Sequence, residues 1–181
     1  MSTTVHPTVD QDPSGLVQEA KEPVSAVAGP YGHPFHPVLV TVPIGAWVAS
    51  LVFDVATRID DGGSAALVEG SYWLIGLGIV GALLAAVFGF LDLLAIPRGT
   101  KVMRVGLTHM ALNLAVVGSF VVGFLWRRSD YEEVVELGGG QLALSAATLA
   151  VLGVSGWLGG MLAYRYGVRV ASEADQADGF R

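Results

Sequence analysis

Four long blocks of apolar residues, separated by short polar segments, dominate the hydropathy pattern of this chain. Each block is long enough to cross the hydrocarbon core of a bilayer as an α-helix, which takes about 20 residues. The pattern predicts helices at about residues 37–57, 72–96, 101–127 and 141–166. Because the connections between successive helices are short, we expect an all-α membrane protein, a four-helix transmembrane bundle with up-down topology.

Polar segments flank the four blocks. Residues 1–30 contain Pro and acidic residues but no apolar run of signal-peptide length, so we predict a disordered N-terminal tail. The first apolar helix would then act as the targeting signal. Residues 31–170 form the predicted transmembrane domain, and residues 171–181 form a polar C-terminal tail.

Composition agrees with a membrane location and narrows the possible cofactors. Charged residues make up 14% of the chain, against about 25% in soluble domains. The absence of Cys excludes disulfides and thiolate-held iron–sulfur clusters, so His, Asp and Glu are the remaining strong metal ligands. The net charge of −6 gives no reason to expect a nucleic-acid partner. The expected surroundings are a lipid bilayer.

The Lys and Arg residues near the span ends predict the orientation. Four spans place both termini on one side, together with the turn between the second and third helices. By the positive-inside rule, the side with more Lys and Arg is cytoplasmic, so we expect both termini in the cytoplasm. The terminus-bearing side has Arg98, Lys101, Arg104, Arg165 and Arg169, and the opposite side has Arg58, Arg127 and Arg128.

The same topology collects polar residues on the terminus-bearing side. His33 and His36 belong to two His-Pro pairs before the first helix, and Asp92 lies near the end of the second. His109 and Asn113 lie one turn apart near the start of the third helix. Because odd helices leave this side and even helices return to it, the three histidines and Asp92 lie at the same membrane face. Ionisable residues within membrane helices are candidates for function.

Several short motifs are spread over roughly residues 30–170. They are His-Pro-x-His-Pro at 33–37, Pro-Ile-Gly at 43–45, Phe-Asp at 53–54, Leu-Asp and Ile-Pro-Arg-Gly-Thr within 91–100, Gly-Leu-Thr-His at 106–109, and Gly-Trp-Leu-Gly-Gly with Tyr-Arg-Tyr-Gly within 156–167. These motifs resemble the bacterial membrane-protein family called domain of unknown function 2231, which implies a bacterial inner-membrane protein without a settled activity. Family members look like four-helix relatives of membrane b-type cytochromes, and some are joined to Rieske-type iron–sulfur domains, so the resemblance also implies redox work and a redox partner protein. This chain has no Rieske segment.

The leading hypothesis is a b-type haem in a membrane electron-transfer subunit. His36 and His109, from the first and third helices, would be the axial ligands. Axial imidazoles need the neutral form, and a helix N-terminus disfavours the imidazolium at His36. Arg104 or Arg165 would meet the haem propionates through charge-assisted hydrogen bonds. Glycine-rich faces of the second and fourth helices would make room for a flat macrocycle.

Other hypotheses explain the same residues. His33, His36, His109 and Asp92 would form a non-haem metal or proton-relay site, supported by Asn113. In a purely structural interpretation, the histidines cap a helix and make hydrogen bonds between helices, which set the register of the bundle. The protein would then be a scaffold that docks a partner or a second copy, or a small ion or proton conduit. No catalytic constellation is recognisable, so we do not expect an enzyme.

Some residues have predicted structural roles. Pro43 should kink the first helix, and Asp54 should reach water or pair with Arg58. Small residues at helical spacing should let helices approach closely. They are Gly78, Gly81, Ala85 and Gly89 in the second helix, and Gly153, Gly156 and Gly160 in the fourth.

Overall fold

The computed structural model describes residues 12–59, 63–129 and 131–181, and these residues contain helices but no strand. The first eleven residues of the predicted tail lie outside the described residues. The helices are α1 (Pro13–Lys21), α2 (His36–Leu39), α3 (Thr41–Ile59), α4 (Ala65–Leu94), α5 (Lys101–Arg127), α6 (Gly139–Gly160) and α7 (Glu173–Asp178), with a 3₁₀ turn at Ala26–Ala28 and a π-helical segment at Met161–Arg165 that continues α6.

Four helical stretches are long and apolar enough to cross a membrane, which confirms the predicted four-helix transmembrane fold. Their bounds are His36–Ile59, Ala65–Leu94, Lys101–Arg127 and Gly139–Arg165. The second begins seven residues before the predicted start at residue 72. Its first turns include an exposed acidic residue, Glu69, so α4 extends past the apolar block that hydropathy detects.

The first span is broken near its beginning. Pro37 occupies the first turn of α2, where its missing N–H costs nothing. The helix is interrupted at Val40 and resumes as α3 at Thr41. Pro43 lacks the N–H that would bond to the carbonyl of Leu39, so the break lies where the sequence predicts a kink. The short α2 therefore positions His36 separately from the main helix.

An apolar cluster fills the middle of the bundle. Trp47, Ile75, Val116 and Phe120 are buried together, and the Trp47 ring stacks on Phe120 with centroids 4.2 Å apart. The Trp47 indole N–H donates to the carbonyl of Ile75 at 3.3 Å. A Cβ at Gly78 would collide with the Trp47 indole, so this position of α4 requires glycine. The bundle is therefore packed by side chains at mid-membrane depth.

The two predicted glycine-rich faces behave differently. In α4, Gly81 packs against Val42 and Gly89 packs against the His36 ring. In α6, a Cβ at Gly153 or Gly156 would meet nothing within 4 Å, so these two glycines do not pack against another helix of this chain. The prediction of a second close-approach face is wrong for these two positions, because the hydropathy pattern does not define how α6 is rotated.

From residue 12 the N-terminal segment contains a helix, α1, in the region that the sequence predicts to be a polar tail. The Asp12 side chain caps α1 by accepting a hydrogen bond from the backbone N–H of Ser14 at 3.2 Å. Ala20 of α1 is buried against Leu93, Ile96 and Val168. The segment thus packs across the end of the bundle.

The C-terminal segment also contains structure, although α7 itself is exposed. The Tyr31 hydroxyl donates to the Asp175 carboxylate at 2.8 Å, and the Ser172 hydroxyl donates to it at 2.6 Å. Hydrogen bonds from Ser172 first, and then from Tyr31, lower the pKa of Asp175 below its ordinary value. These contacts join the two terminal segments to each other on the side of the bundle that carries His36.

Candidate functional site

Two histidines from different spans face each other inside the bundle. His36 comes from α2 and His109 from α5, and the centroids of their rings are 6.3 Å apart. The ring planes are nearly perpendicular, at 87°. Both side chains are partly buried. The structure therefore brings together the two residues predicted as axial haem ligands.

Backbone carbonyls orient both rings. The Nδ1 of His36 lies 2.9 Å from the carbonyl oxygen of Ala85 on α4, and the Nδ1 of His109 lies 2.8 Å from that of Ser155 on α6. A carbonyl only accepts hydrogen bonds, so each Nδ1 carries the proton and each Nε2 keeps its lone pair. Histidines that bind metals characteristically donate their other ring N–H in this way.

Two glycines make space for the imidazoles. A Cβ at Gly89 would lie 2.8 Å from ring atoms of His36, and a Cβ at Gly159 would lie 3.0 Å from the His109 ring. Real Cβ atoms rarely approach side chains so closely, because cores are packed to van der Waals contact. The glycines of α4 and α6 therefore determine where the two rings lie.

Asn113 supports the pair from one turn further along α5. Its amide Nδ2 donates to the hydroxyl of Ser155 at 2.8 Å and to the carbonyl of His109 at 2.9 Å. The Nδ2 also lies 3.1 Å from the Nε2 of His109, so three acceptors share the two protons of the amide nitrogen. Asn113 thus ties α5 to α6 beside the His109 ring.

The other predicted metal ligands have different partners. Asp92 forms an ion pair with Arg169, with 2.8 Å between its Oδ1 and the arginine Nε. His33 is exposed, and within the described residues its Nδ1 is hydrogen-bonded to the carbonyl of Tyr31, at 3.4 Å. In the described parts of the chain, no three His, Asp or Glu side chains are placed to hold a metal ion. The structure therefore does not assemble the predicted four-ligand site.

The two arginines predicted to meet haem propionates are exposed. Arg104 lies five residues before His109, which places the two side chains roughly 140° apart around a helix with 3.6 residues per turn. The guanidinium of Arg165 lies over the Tyr166 ring, 5.9 Å from its centroid. The described contacts link neither arginine to the imidazole pair.

A second polar cluster, at the opposite end of the bundle, takes one residue from each of the four long helices. Arg127 forms a two-pronged ion pair with Asp54, with N–O distances of 3.0 and 2.9 Å. Ser71 donates to Asp54, and Arg127 donates to Ser71 at 2.8 Å and to Ser145 at 2.9 Å. Asp54 is 0% and Arg127 1% exposed. We call these four residues the Asp54–Arg127 network.

This network corrects the prediction that Asp54 reaches water or pairs with Arg58. Arg58 instead pairs with Glu136 at 3.1 Å near the surface. Arg127 continues the buried face of α5 that carries Val116, Phe120 and Gly123. That spacing was the available signal, because residues three or four apart share one helix face.

Comparison with known proteins supports a family assignment. A family model described as a predicted membrane protein, DUF2231, matches residues 32–172. No curated protein and no solved structure gives a significant match. The matched range includes all four spans, the imidazole pair and the Asp54–Arg127 network. The chain therefore belongs to the DUF2231 family of predicted membrane proteins.

Proposed function

We propose that this protein is a membrane electron-transfer subunit that binds one b-type haem through His36 and His109. The observation that carries the proposal is the facing imidazole pair, with both Nδ1 atoms held at backbone carbonyls. With ring centroids 6.3 Å apart, His36 and His109 are the two residues that would hold the haem iron, one from each of two spans.

The number of available ligands favours haem over a non-haem metal. Structural and catalytic zinc sites take three or four protein ligands. A haem iron receives its equatorial ligands from the macrocycle and needs only axial side chains from the protein. A third His, Asp or Glu at the pair is missing from the described residues. The donor set therefore matches a haem better than a bare ion.

The haem would supply a one-electron redox centre, and the chain's residues would orient it. The carbonyls of Ala85 and Ser155 accept hydrogen bonds from both Nδ1 atoms and hold the rings in position. The Asn113 amide, 3.1 Å from the Nε2 of His109, would turn away from that atom when the haem is bound. Gly89 and Gly159 have no Cβ that would collide with the imidazole rings of His36 and His109. Since the chain contains no second redox group of the Rieske type, electrons would enter or leave through a redox partner protein.

The apolar middle of the bundle argues against an ion or proton conduit. Trp47 lies between His36 and Asp54 along the first span, and Phe120 lies between His109 and Arg127 along α5. Their stacked rings belong to the buried apolar cluster. An ion moving from one polar cluster to the other would have to cross this layer without polar partners, which costs several kcal/mol.

The absorption spectrum tests the haem proposal. We expect the chain purified in detergent to show a Soret band and an α band that dithionite induces. His36→Ala or His109→Ala removes an axial ligand and should reduce both bands about tenfold or more, a factor equal to about 1.4 kcal/mol of binding free energy. His33→Ala is the matched control, because His33 is exposed, and it should keep the wild-type spectrum.

Three outcomes would contradict the haem proposal. One is a folded preparation that stays colourless after incubation with haemin. Another is a His33→Ala variant that loses the bands as fully as His109→Ala. The third is a colourless protein with stoichiometric zinc, manganese or iron by elemental analysis, which would indicate a non-haem metal site instead.

We further propose that the protein lies in the bacterial inner membrane with both termini in the cytoplasm. The excess of Lys and Arg on the terminus-bearing side supports this orientation. The chain has no Cys, so a single Cys introduced at Gly179 reports on one side alone. A membrane-impermeant maleimide should label Gly179→Cys only after the inner membrane is permeabilised. Labelling of intact spheroplasts would show the reverse orientation.

A further inference from the structure

A groove between α5 and α6 opens on the outer surface of the bundle and plays no part in the imidazole site. Its volume is about 380 Å³. The lining residues are Lys101, Arg104, Val105, Thr108 and Leu158. It lies at the end of the bundle where α5 begins, the terminus-bearing side.

Two basic side chains line this groove, and neither forms an ion pair with an acidic side chain of the described residues. Lys101 and Arg104 are one helical turn apart, so their side chains share a face of α5. Both are exposed, and neither takes part in an ion pair with any acidic side chain of the described residues. They also lie in the first turn of α5, where the helix dipole adds partial positive charge. The groove therefore attracts an anion.

Apart from Thr108, whose hydroxyl donates to the carbonyl of Arg104 at 2.9 Å, the rest of the groove is apolar. Val105 and Leu158 line it and belong to two of the four membrane spans. A small soluble anion has no apolar part that could bind to these side chains. A lipid has both a charged headgroup and acyl chains. Basic pockets between membrane helices are typical sites for anionic lipid headgroups.

We propose that this groove is a binding site for an anionic phospholipid. The lipid phosphate contacts Lys101 and Arg104, and an acyl chain lies along Val105 and Leu158. This site is separate from the haem proposal, because Arg104 points roughly 140° away from His109 around α5. It gives Arg104 a role that the imidazole pair does not provide.

Native mass spectrometry of the full chain, titrated with phosphatidylglycerol and with phosphatidylcholine, tests the site. We expect wild-type protein to bind phosphatidylglycerol more tightly. Lys101→Gln and Arg104→Gln should each weaken its binding about fivefold, which corresponds to about 1 kcal/mol per cation near anionic lipid. Arg128→Gln is the matched control: it removes an exposed cation at the other end of α5 and should leave the affinity unchanged.

Each alternative outcome would overturn the proposal. Equal binding of the two lipids by the wild-type chain would show that the groove does not select an anionic headgroup. The same loss in Arg128→Gln would indicate attraction by net charge alone. Displacement of phosphatidylglycerol by inorganic phosphate at matched ionic strength would indicate a site for a free anion. Unchanged circular dichroism of the variants checks that all of them fold.

Discussion

Replacing Arg127 with Met is expected to lower the free energy of unfolding by about 3–5 kcal/mol, because it leaves the buried Asp54 carboxylate without its partner. The Asp54 side chain is 0% exposed, and among the described residues its contacts with a cation are the two guanidinium hydrogen bonds of 3.0 and 2.9 Å. Ser71 alone cannot compensate a full charge at membrane depth. The change is measured by thermal unfolding in detergent, followed by circular dichroism.

A second variant separates the charge effect from loss of packing. Asp54→Asn combined with Arg127→Met removes both charges, so at least half of the lost stability should return. Arg58→Met is the matched control, since it breaks an exposed pair with Glu136 that contributes about 0–1 kcal/mol. Equal costs for Arg58→Met and Arg127→Met, or additive costs in the double variant, would contradict the prediction.

The position of the network also separates its effect on stability from the haem binding that we propose. Asp54 and Arg127 are at the end of the bundle opposite to His36 and His109. At temperatures where the Arg127→Met variant remains folded, its absorption spectrum should therefore match that of the wild-type chain. The network contributes to the bundle by joining four helices, because hydrophobicity alone does not orient helices that are surrounded by lipid.

Hydropathy was sufficient to predict the four spans, because lipid leaves the backbone no partner outside a helix. The side on which each polar residue lies followed from counting spans, and this placed His36 and His109 together. The rotation of each helix about its axis did not follow from counting. Gly153 was predicted to lie on a close-approach face, yet it does not pack against another helix of this chain. Arg104 was predicted to meet a haem held by His109, yet it lies on a different face of α5, where it lines the groove.

Sequence patterns also did not predict which side chains form ion pairs across long sequence separations. Three Arg residues lay on the same side as Asp54, and the adjacent Arg58 looked like the natural partner. The real partner, Arg127, is 73 residues away and was selected by the packing of α5. Local composition likewise gave no sign of the contacts that residues 12–30 make with residues near the other end of the chain.

One residue, Arg169, holds the N-terminal segment on the bundle. Its backbone has φ of 60°, an uncommon conformation for a residue other than glycine, and its side chain is 3% exposed. The guanidinium pairs with Asp92 at 2.8 Å and donates to the carbonyls of Ala28 and Gly29 at 3.2 and 3.0 Å. The backbone N–H of Arg169 donates to the carbonyl of Ala20 at 3.0 Å.

Replacing Arg169 with Leu is therefore expected to detach residues 12–30 and to accelerate tryptic cleavage after Lys21 about 10²-fold or more. Breaking a buried ion pair costs about 3–5 kcal/mol, and cleavage follows the population of the opened segment when opening is fast. Mass spectrometry of timed digests gives the rate. Arg165→Leu is the matched control, because it also removes one tryptic site, but from an exposed arginine, and it should leave the cleavage rate at Lys21 unchanged. Equal cleavage rates in the two variants would mean that the apolar contacts of Ala20 hold the segment without Arg169.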